Sequence, residues 1–154
     1  MNYSEFVAYL SCDTGNNRNV KSSAEVGRIA RLCREWAEHV TKNSEHYTRS
    51  LCGFCAIAAG KVFTELLKAN YAPVIHLWEG RKCTHCFIQV DDYVVDITAT
   101  QFEEFRDKKV LILHEKEAIE YRYYSTSKTF DSIKALREHQ ISTGWPTEQI
   151  CYNF

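Results

Sequence analysis

The sequence predicts an α+β domain in which helices come first, a mostly antiparallel sheet follows and a helix comes last. Apolar residues recur at helical spacing before residue 70 and alternate with polar residues after it. The segments do not alternate as strand, helix and strand, which argues against a doubly wound parallel sheet. A chain of 154 residues is close to the usual size of one domain, so residues 1–154 are expected to form a single domain.

The first helix is predicted to follow the polar segment 12–19, which has the composition of a loop. Ser22 or Ser23 would cap this helix, and Glu25 would lie near its first turn. Its apolar stripe is formed by Val26, Ile29, Ala30, Cys33, Trp36, Ala37 and Val40. Three arginines on the same helix, Arg28, Arg31 and Arg34, are interpreted as part of a solvated face.

The second helix is predicted after a polar connection at 41–50, starting around residues 53–55 and running to about Asn70. Pro73 prevents the helix from continuing. The helix is rich in small residues, which would allow close packing against a sheet: Ala56, Ala58, Ala59 and Gly60.

Strands are predicted where apolar and polar residues alternate after Pro73. They cover 73–78, 85–90, 93–98, 110–115 and 118–124, with a turn at 79–82 and a short helix or loop at 102–107. The second and third strands would form a hairpin across Asp91 and Asp92. Thr129 is predicted to open a last helix that docks on the sheet through Phe130, Ile133 and Leu136 and ends at Gly144–Pro146.

The composition limits the classes of partner. A formal charge of −1 predicts neither a nucleic-acid partner nor an anionic membrane partner. The first residues lack the basic region of a signal peptide, and no apolar run approaches the roughly 20 residues of a membrane span. The seven cysteines are therefore expected to be reduced thiols in a cytoplasmic protein, and their odd number argues against a complete disulfide framework.

Cys55 is the candidate nucleophile. It lies where the second helix begins, and the N–H groups and dipole of a helix N-terminus lower the pKa of a thiol. Its own backbone N–H would be directed at an oxyanion. Cys52, three residues earlier, is left open as the alternative nucleophile.

His85 and Asp96 are the candidate base and orienting acid. A two-residue turn at Asp91 and Asp92 would place Phe87 opposite Asp96, so that His85, Phe87 and Asp96 share one face of the hairpin. His85 and Asp96 would then be diagonal neighbours roughly 7 Å apart, close enough for an imidazole–carboxylate hydrogen bond. Asp96 also interrupts an apolar strand, where an acid usually has a partner.

A zinc site is the main alternative. Cys52, Cys55, Cys83 and Cys86 form two C-x-x-C pairs that are separated by 27 residues, which matches a four-thiolate site. However, the first pair leads into a helix and the second into a strand, whereas such pairs normally lie in tight turns. A redox C-x-x-C lacks the preceding strand that it requires, and the remaining interpretation is that these thiols and a core histidine are simply buried.

The residues G-F-C-A-I-A, then H-x-F-I-x-V and V-V-D-I-T, resemble the transglutaminase-like branch of the papain-fold cysteine hydrolases. The resemblance covers residues 50–102, and the spacings from Cys55 to His85 and on to Asp96 are 30 and 11 residues. It implies a papain-like core, with the nucleophile on a helix N-terminus packed against the sheet. It also implies that Cys55 is the nucleophile, His85 the base and Asp96 the orienting acid.

The expected activity is that of a cysteine hydrolase or acyltransferase that acts on a carboxamide of a protein or peptide through a thioester. Protease, glutamine deamidase and transglutaminase chemistry all remain open, and no cofactor is expected. The resemblance has one departure. Papain-like enzymes often place a glutamine several residues before the nucleophile, and residues 47–52 contain none, so the second oxyanion donor is not assigned.

Overall fold

The structure is a computed structural model that describes residues 17–41, 54–79, 84–120 and 128–143. It has an α+β fold, as predicted, with helices packed on a five-stranded sheet. The elements in chain order are α1 (Asn17–Thr41), α2 (Cys55–Lys68), β1 (Val74–Glu79), β2 (Thr84–Val90), β3 (Tyr93–Asp96), β4 (Leu111–His114), α3 (Glu115–Glu120), β5 (Lys128–Phe130) and α4 (Ile133–Ser142). Two short 3₁₀ turns, Ala99–Gln101 and Glu103–Phe105, connect β3 to β4.

The sheet has the strand order β4-β3-β2-β1-β5, and each neighbouring pair is antiparallel. The predicted hairpin is confirmed, because Val90 pairs with Tyr93 across a two-residue turn. Asp91 has a φ of 50°, a left-handed conformation that aspartate tolerates better than most residues. This turn sets the register of β2 and β3 and therefore the face on which each site residue lies.

One face of the sheet is covered by α1 and α2. The small residues predicted to allow close approach are buried on α2, with Ala58 fully inaccessible to solvent. From the sheet, alternate residues of each strand enter this core: Ile75 and Leu77, Cys86, Ile88 and Val90, Val95, and Ile112. The helices thus bury the apolar face of the sheet, as binary patterning requires.

The opposite face carries a second, smaller core. Phe87 and Val94 from the central strands pack there with residues that follow β3, including Ala99 and Phe105. Phe102 lies at the edge of this cluster and is partly buried. The connection between β3 and β4 is therefore held against the sheet face on which His85 and Asp96 lie.

The predicted start of α1 is wrong. The helix already begins at Asn17, so the end of the predicted loop 12–19 is helical and Ser23 lies inside the helix. Ser23 is buried, and its hydroxyl hydrogen-bonds the Tyr93 phenol on β3. The serine therefore serves a contact between helix and sheet that no local capping rule anticipates.

The end of α2 is close to its prediction, and its geometry has a clear cause. Asn70 has a φ of 65°, and its N–H donates to the carbonyl of Leu67 at 3.0 Å. The N–H of Tyr71 donates to the carbonyl of Leu66, also at 3.0 Å. This is the Schellman arrangement, which satisfies the last carbonyls of a helix.

Two predictions near the C-terminus are wrong. Residues 118–120 of the predicted strand belong to α3, whose buried Ala118 packs on the second core. Thr129 lies on β5, where it pairs with His76 of β1 instead of opening a helix. The last helix starts later, at Ile133, and Ser132 caps it by accepting a 3.1 Å hydrogen bond from the N–H of Ala135.

Several predictions fall outside the described residues. These are the loop up to residue 16, the connection from 42 onward, most of the turn at 79–82, the strand beyond 120 and the Gly144–Pro146 stop. Within the ranges that are described, no helix combines the length and the apolar character needed to cross a membrane.

Candidate active site

Cys55 is the first residue of α2, and its side chain is completely buried. Phe54 caps the helix without a side-chain hydrogen bond, and the first helical bond runs from Ala58 N–H to the Phe54 carbonyl at 2.9 Å. The N–H groups of the first turn therefore have no acceptor further back in the helix. This is the location predicted for the nucleophile, at the positive end of the helix dipole.

His85 and Asp96 meet as the hairpin register predicted. The Nε2 atom of His85 donates to Oδ2 of Asp96 at 2.5 Å, and both side chains are almost fully buried. The other carboxylate oxygen, Oδ1, accepts from the backbone N–H of Thr98 at 2.8 Å and from its hydroxyl at 3.1 Å. The D-x-T sequence thus forms a local turn that fixes the orientation of the carboxylate.

Cys55 contacts the same imidazole. The His85 ring hydrogen-bonds the Cys55 sulfur, and so do the thiol and the backbone N–H of Cys86. The structure therefore brings the three residues predicted as nucleophile, base and orienting acid into one hydrogen-bonded chain.

These contacts shift both pKa values toward an ion pair. The pKa of Cys55 falls from 9.0 to about 6, mainly through the hydrogen bond from the Cys86 thiol, while burial opposes the fall and His85 adds to it. Burial lowers the pKa of His85, but the charge and hydrogen bond of Asp96, together with Cys55, raise it to about 10. A thiolate facing an imidazolium is therefore the favoured state at neutral pH.

Cys33 shows that burial alone does not produce this effect. It is also a buried thiol, on α1, but desolvation and the nearby Glu65 raise its pKa to about 12. The opposite shifts of Cys33 and Cys55 come from their hydrogen-bond partners, because both side chains are almost inaccessible to solvent. Cys33 is accordingly a packing residue on the predicted apolar stripe of α1.

Aromatic and amide groups enclose the imidazole. The Phe102 ring meets the His85 ring edge-on at 4.8 Å, and Phe87 stacks on it at 6.3 Å. His76 stacks in turn on Phe87 at 4.8 Å and hydrogen-bonds Gln89 at 2.8 Å. These rings hold the imidazole plane in place between β1 and the connection that follows β3.

Gln101 is a site residue that sequence reasoning missed. Its side-chain Nε2 lies 2.5 Å from Nδ1 of His85. The residue belongs to the 3₁₀ turn after β3, a turn that no periodicity predicted. No local signal marks it, because its position depends on how the chain folds back over the second core.

Arg34 corrects another prediction. It was assigned to a solvated face, but its side chain is only 12% exposed. Its Nη1 donates to the Ile97 carbonyl at 2.6 Å and to the Thr100 hydroxyl at 3.1 Å. Arg34 thus ties α1 to the segment that carries Asp96 and Gln101.

The structure describes only two of the four cysteines of the alternative zinc site. Cys55 and Cys86 contact each other, whereas Cys52 and Cys83 lie outside the described residues. Among the residues that the structure describes, no group of three or more histidine, cysteine or acidic side chains could hold a metal ion.

Comparisons of the chain with protein-family models, with curated proteins and with solved structures found no match. The fold described above is an α+β arrangement of helices on an antiparallel sheet. The chemistry of the site is therefore the basis on which a function can be inferred.

Proposed function

We propose that this protein is a cysteine hydrolase or acyltransferase that acts on a carboxamide through Cys55, His85 and Asp96. One observation carries the proposal: a single buried imidazole is hydrogen-bonded to Asp96 through Nε2 and is also hydrogen-bonded to the Cys55 sulfur at a helix N-terminus. Nucleophile, base and orienting group in this order are the parts that thiol catalysis requires.

The first half-reaction begins with attack of the Cys55 thiolate on the amide carbon. The C–S bond forms, and the carbonyl electron pair moves to oxygen, where the N–H of Cys55 is a donor for the oxyanion. When the tetrahedral intermediate collapses, the C–N bond breaks and Nδ1 of His85 gives its proton to the leaving nitrogen. A thioester and a neutral imidazole remain.

The second half-reaction reverses these roles. Neutral His85 removes a proton from water or from an amine, which attacks the thioester carbon and releases the Cys55 thiolate. Asp96 holds the imidazole in one tautomer and stabilises its charged form. Water as the acceptor gives hydrolysis or deamidation, and an amine gives transamidation. Neither half-reaction needs a cofactor.

The arrangement also supports a papain-like, transglutaminase-like core. The nucleophile opens a helix packed on the sheet, and the base and the acid lie on adjacent antiparallel strands. A protein or peptide amide is the proposed substrate, as the resemblance of the site motifs to the papain-fold cysteine hydrolases implies.

The test is site-resolved alkylation. Iodoacetamide should label Cys55 of the native protein faster than Cys33, which provides an internal reference for a buried thiol without a lowered pKa. His85→Ala should slow labelling of Cys55 and leave Cys33 unchanged, as read by peptide mass spectrometry. Equal slow labelling of both thiols in the native protein would refute the proposal.

A second measurement tests the alternative four-cysteine zinc site. The contact between the Cys55 and Cys86 sulfurs is the observation that favours this alternative. The metal content of the purified protein should be determined before and after chelation. One zinc per chain, with Cys55 and Cys86 labelled only after chelation, would support a four-cysteine interaction module. Fast labelling of Cys55 without any effect of the chelator would exclude that module.

A positive labelling result should be followed by activity assays on glutamine-containing peptides. Release of ammonia, incorporation of a fluorescent primary amine and cleavage of the peptide chain would be measured in parallel. Cys55→Ser should abolish whichever activity is found, because a serine hydroxyl in the same place lacks the lowered pKa of the thiol.

A further inference from the structure

The nucleophile and the base are closed off from solvent. Cys55 is 0% exposed and His85 only 3% exposed. Gln101 is only partly buried, and its amide lies against Nδ1 of His85. Phe102, also partly buried, contacts the same ring. A substrate carbonyl can therefore reach the sulfur only if groups around the site move.

The Gln101 amide contacts Nδ1 of His85, the ring nitrogen that transfers the proton in the proposed reaction. Nδ1 of a histidine offers one in-plane direction, used either by a lone pair or by an N–H. If the Gln101 amide nitrogen faces Nδ1, it uses the lone pair that would accept a proton. If the amide oxygen faces Nδ1–H instead, it accepts the proton that the leaving nitrogen requires. The contact competes with proton transfer in either orientation.

We propose that Gln101 is the gating residue of the site: its side-chain amide caps Nδ1 of His85 in the resting protein, and substrate must displace it. This inference rests on the proposed function. The leaving nitrogen of a substrate has to lie beside Nδ1 to receive its proton, and the Gln101 amide holds that place at 2.5 Å. Substrate and cap are therefore mutually exclusive.

We expect the displacement to be a rotation of the side chain, because the backbone around Gln101 is anchored. Arg34 holds the preceding residues through the Ile97 carbonyl and the Thr100 hydroxyl. The Gln101 N–H donates to the Thr98 carbonyl at 3.3 Å. A rotation of this side chain would leave these contacts of Arg34 and Thr98 in place.

Shortening or removing the side chain tests the cap. Gln101→Ala and Gln101→Asn should each raise the rate of Cys55 alkylation by iodoacetamide about tenfold at neutral pH, as expected when one hydrogen bond that blocks the site is lost. Glu104→Ala, an exposed change on the next turn, should leave the rate unchanged. Thermal unfolding should verify that each variant folds, and the asparagine variant retains an amide if the alanine variant does not fold.

An unchanged rate in both Gln101 variants would overturn the cap. A slower rate, with the pH midpoint of alkylation moved upward, would overturn it too and would make Gln101 a residue that positions the imidazole. If His85→Ala still slows labelling in those cases, the proposed function survives. If Cys55 reacts no faster than Cys33 in the native protein, the proposed function fails together with the cap.

Discussion

Asp96 accepts a 2.5 Å hydrogen bond from Nε2 of His85, and both residues lie on neighbouring strands with almost no exposure to solvent. The pairing depends on a two-residue turn, because Val90 and Tyr93 are partners and every later pair follows from that register. Thr98 engages the other carboxylate oxygen. The carboxylate therefore favours the imidazole tautomer that carries its proton on Nε2.

Asp96→Ala should lower the free energy of unfolding by about 3 kcal/mol, because it leaves a buried histidine without its partner. Asp96→Asn should lose less stability but should still slow alkylation of Cys55. Urea denaturation measures the first effect, and Asp107→Asn, an exposed change of the same kind, is the control. Equal losses in both asparagine variants would contradict the assigned role.

The stability that His85 contributes should depend on pH in one direction. Its pKa is raised on folding, from 6.5 to about 10, so the contribution is fully present below the unfolded value of 6.5. It should decline as pH rises from 6.5 through about 10. Denaturant titrations of native protein and His85→Ala across this range should converge at high pH, and a constant difference would contradict the raised pKa.

Alkylation of Cys55 should rise with pH around the lowered pKa of about 6 and then reach a plateau, since the thiolate is the reactive form. Cys86→Ala should move the midpoint upward, because the Cys86 thiol is the largest cause of the lowered pKa. Cys86→Ser retains a donor and should restore much of the shift. Rates measured by mass spectrometry from about pH 5 to about pH 9 would separate these profiles, and identical midpoints would count against the contact.

Arg34→Ala should destabilise the fold by about 2 kcal/mol, because the guanidinium satisfies a backbone carbonyl and a hydroxyl in a partly buried place. Arg34→Lys should recover only part of this loss, since an ammonium cannot reproduce the planar set of donors. Arg28→Ala, which removes an exposed arginine of the same helix, is the control and should change stability by less than about 0.5 kcal/mol. Chemical denaturation gives all three values.

Asn70→Ala should destabilise the protein by about 1 kcal/mol, because the left-handed φ of 65° is less favourable for alanine than for asparagine. Asn70→Gly should be neutral or slightly stabilising, since glycine carries no Cβ. Thermal unfolding of the matched pair would show the difference. An alanine variant as stable as the glycine variant would show that the left-handed conformation at residue 70 does not affect the stability of the protein.

The local sequence pattern was sufficient to predict the hairpin and most of α2. A two-residue turn and a period of two determine which side chains share a face, so the pairing of His85 with Asp96 follows from the order of residues alone. Pro73 and small residues likewise indicated the extent and the packing of α2. These features depend on neighbours within a few residues or on one tight turn.

The wrong sequence predictions concern residues whose conformation or burial depends on partners far along the chain. Ser23 looked like a cap but bonds Tyr93 on the sheet. Thr129 looked like a helix start but pairs with His76 on β1. Arg34 looked solvated but anchors the chain after Asp96. In each case a partner far along the chain supplies the free energy that local propensity cannot anticipate.

The sequence by itself determined the α+β class, the hairpin parity and the three residues that could form a thiol site. Only the tertiary structure decided that the Cys55 sulfur meets His85, that Cys86 supports it and that Gln101 covers Nδ1. The reason is physical. The alternation of side chains and the length of the turn determine contacts between adjacent strands only. The packing of α2 on β2 and the position of the 3₁₀ turn over the sheet depend on the shape of the whole core.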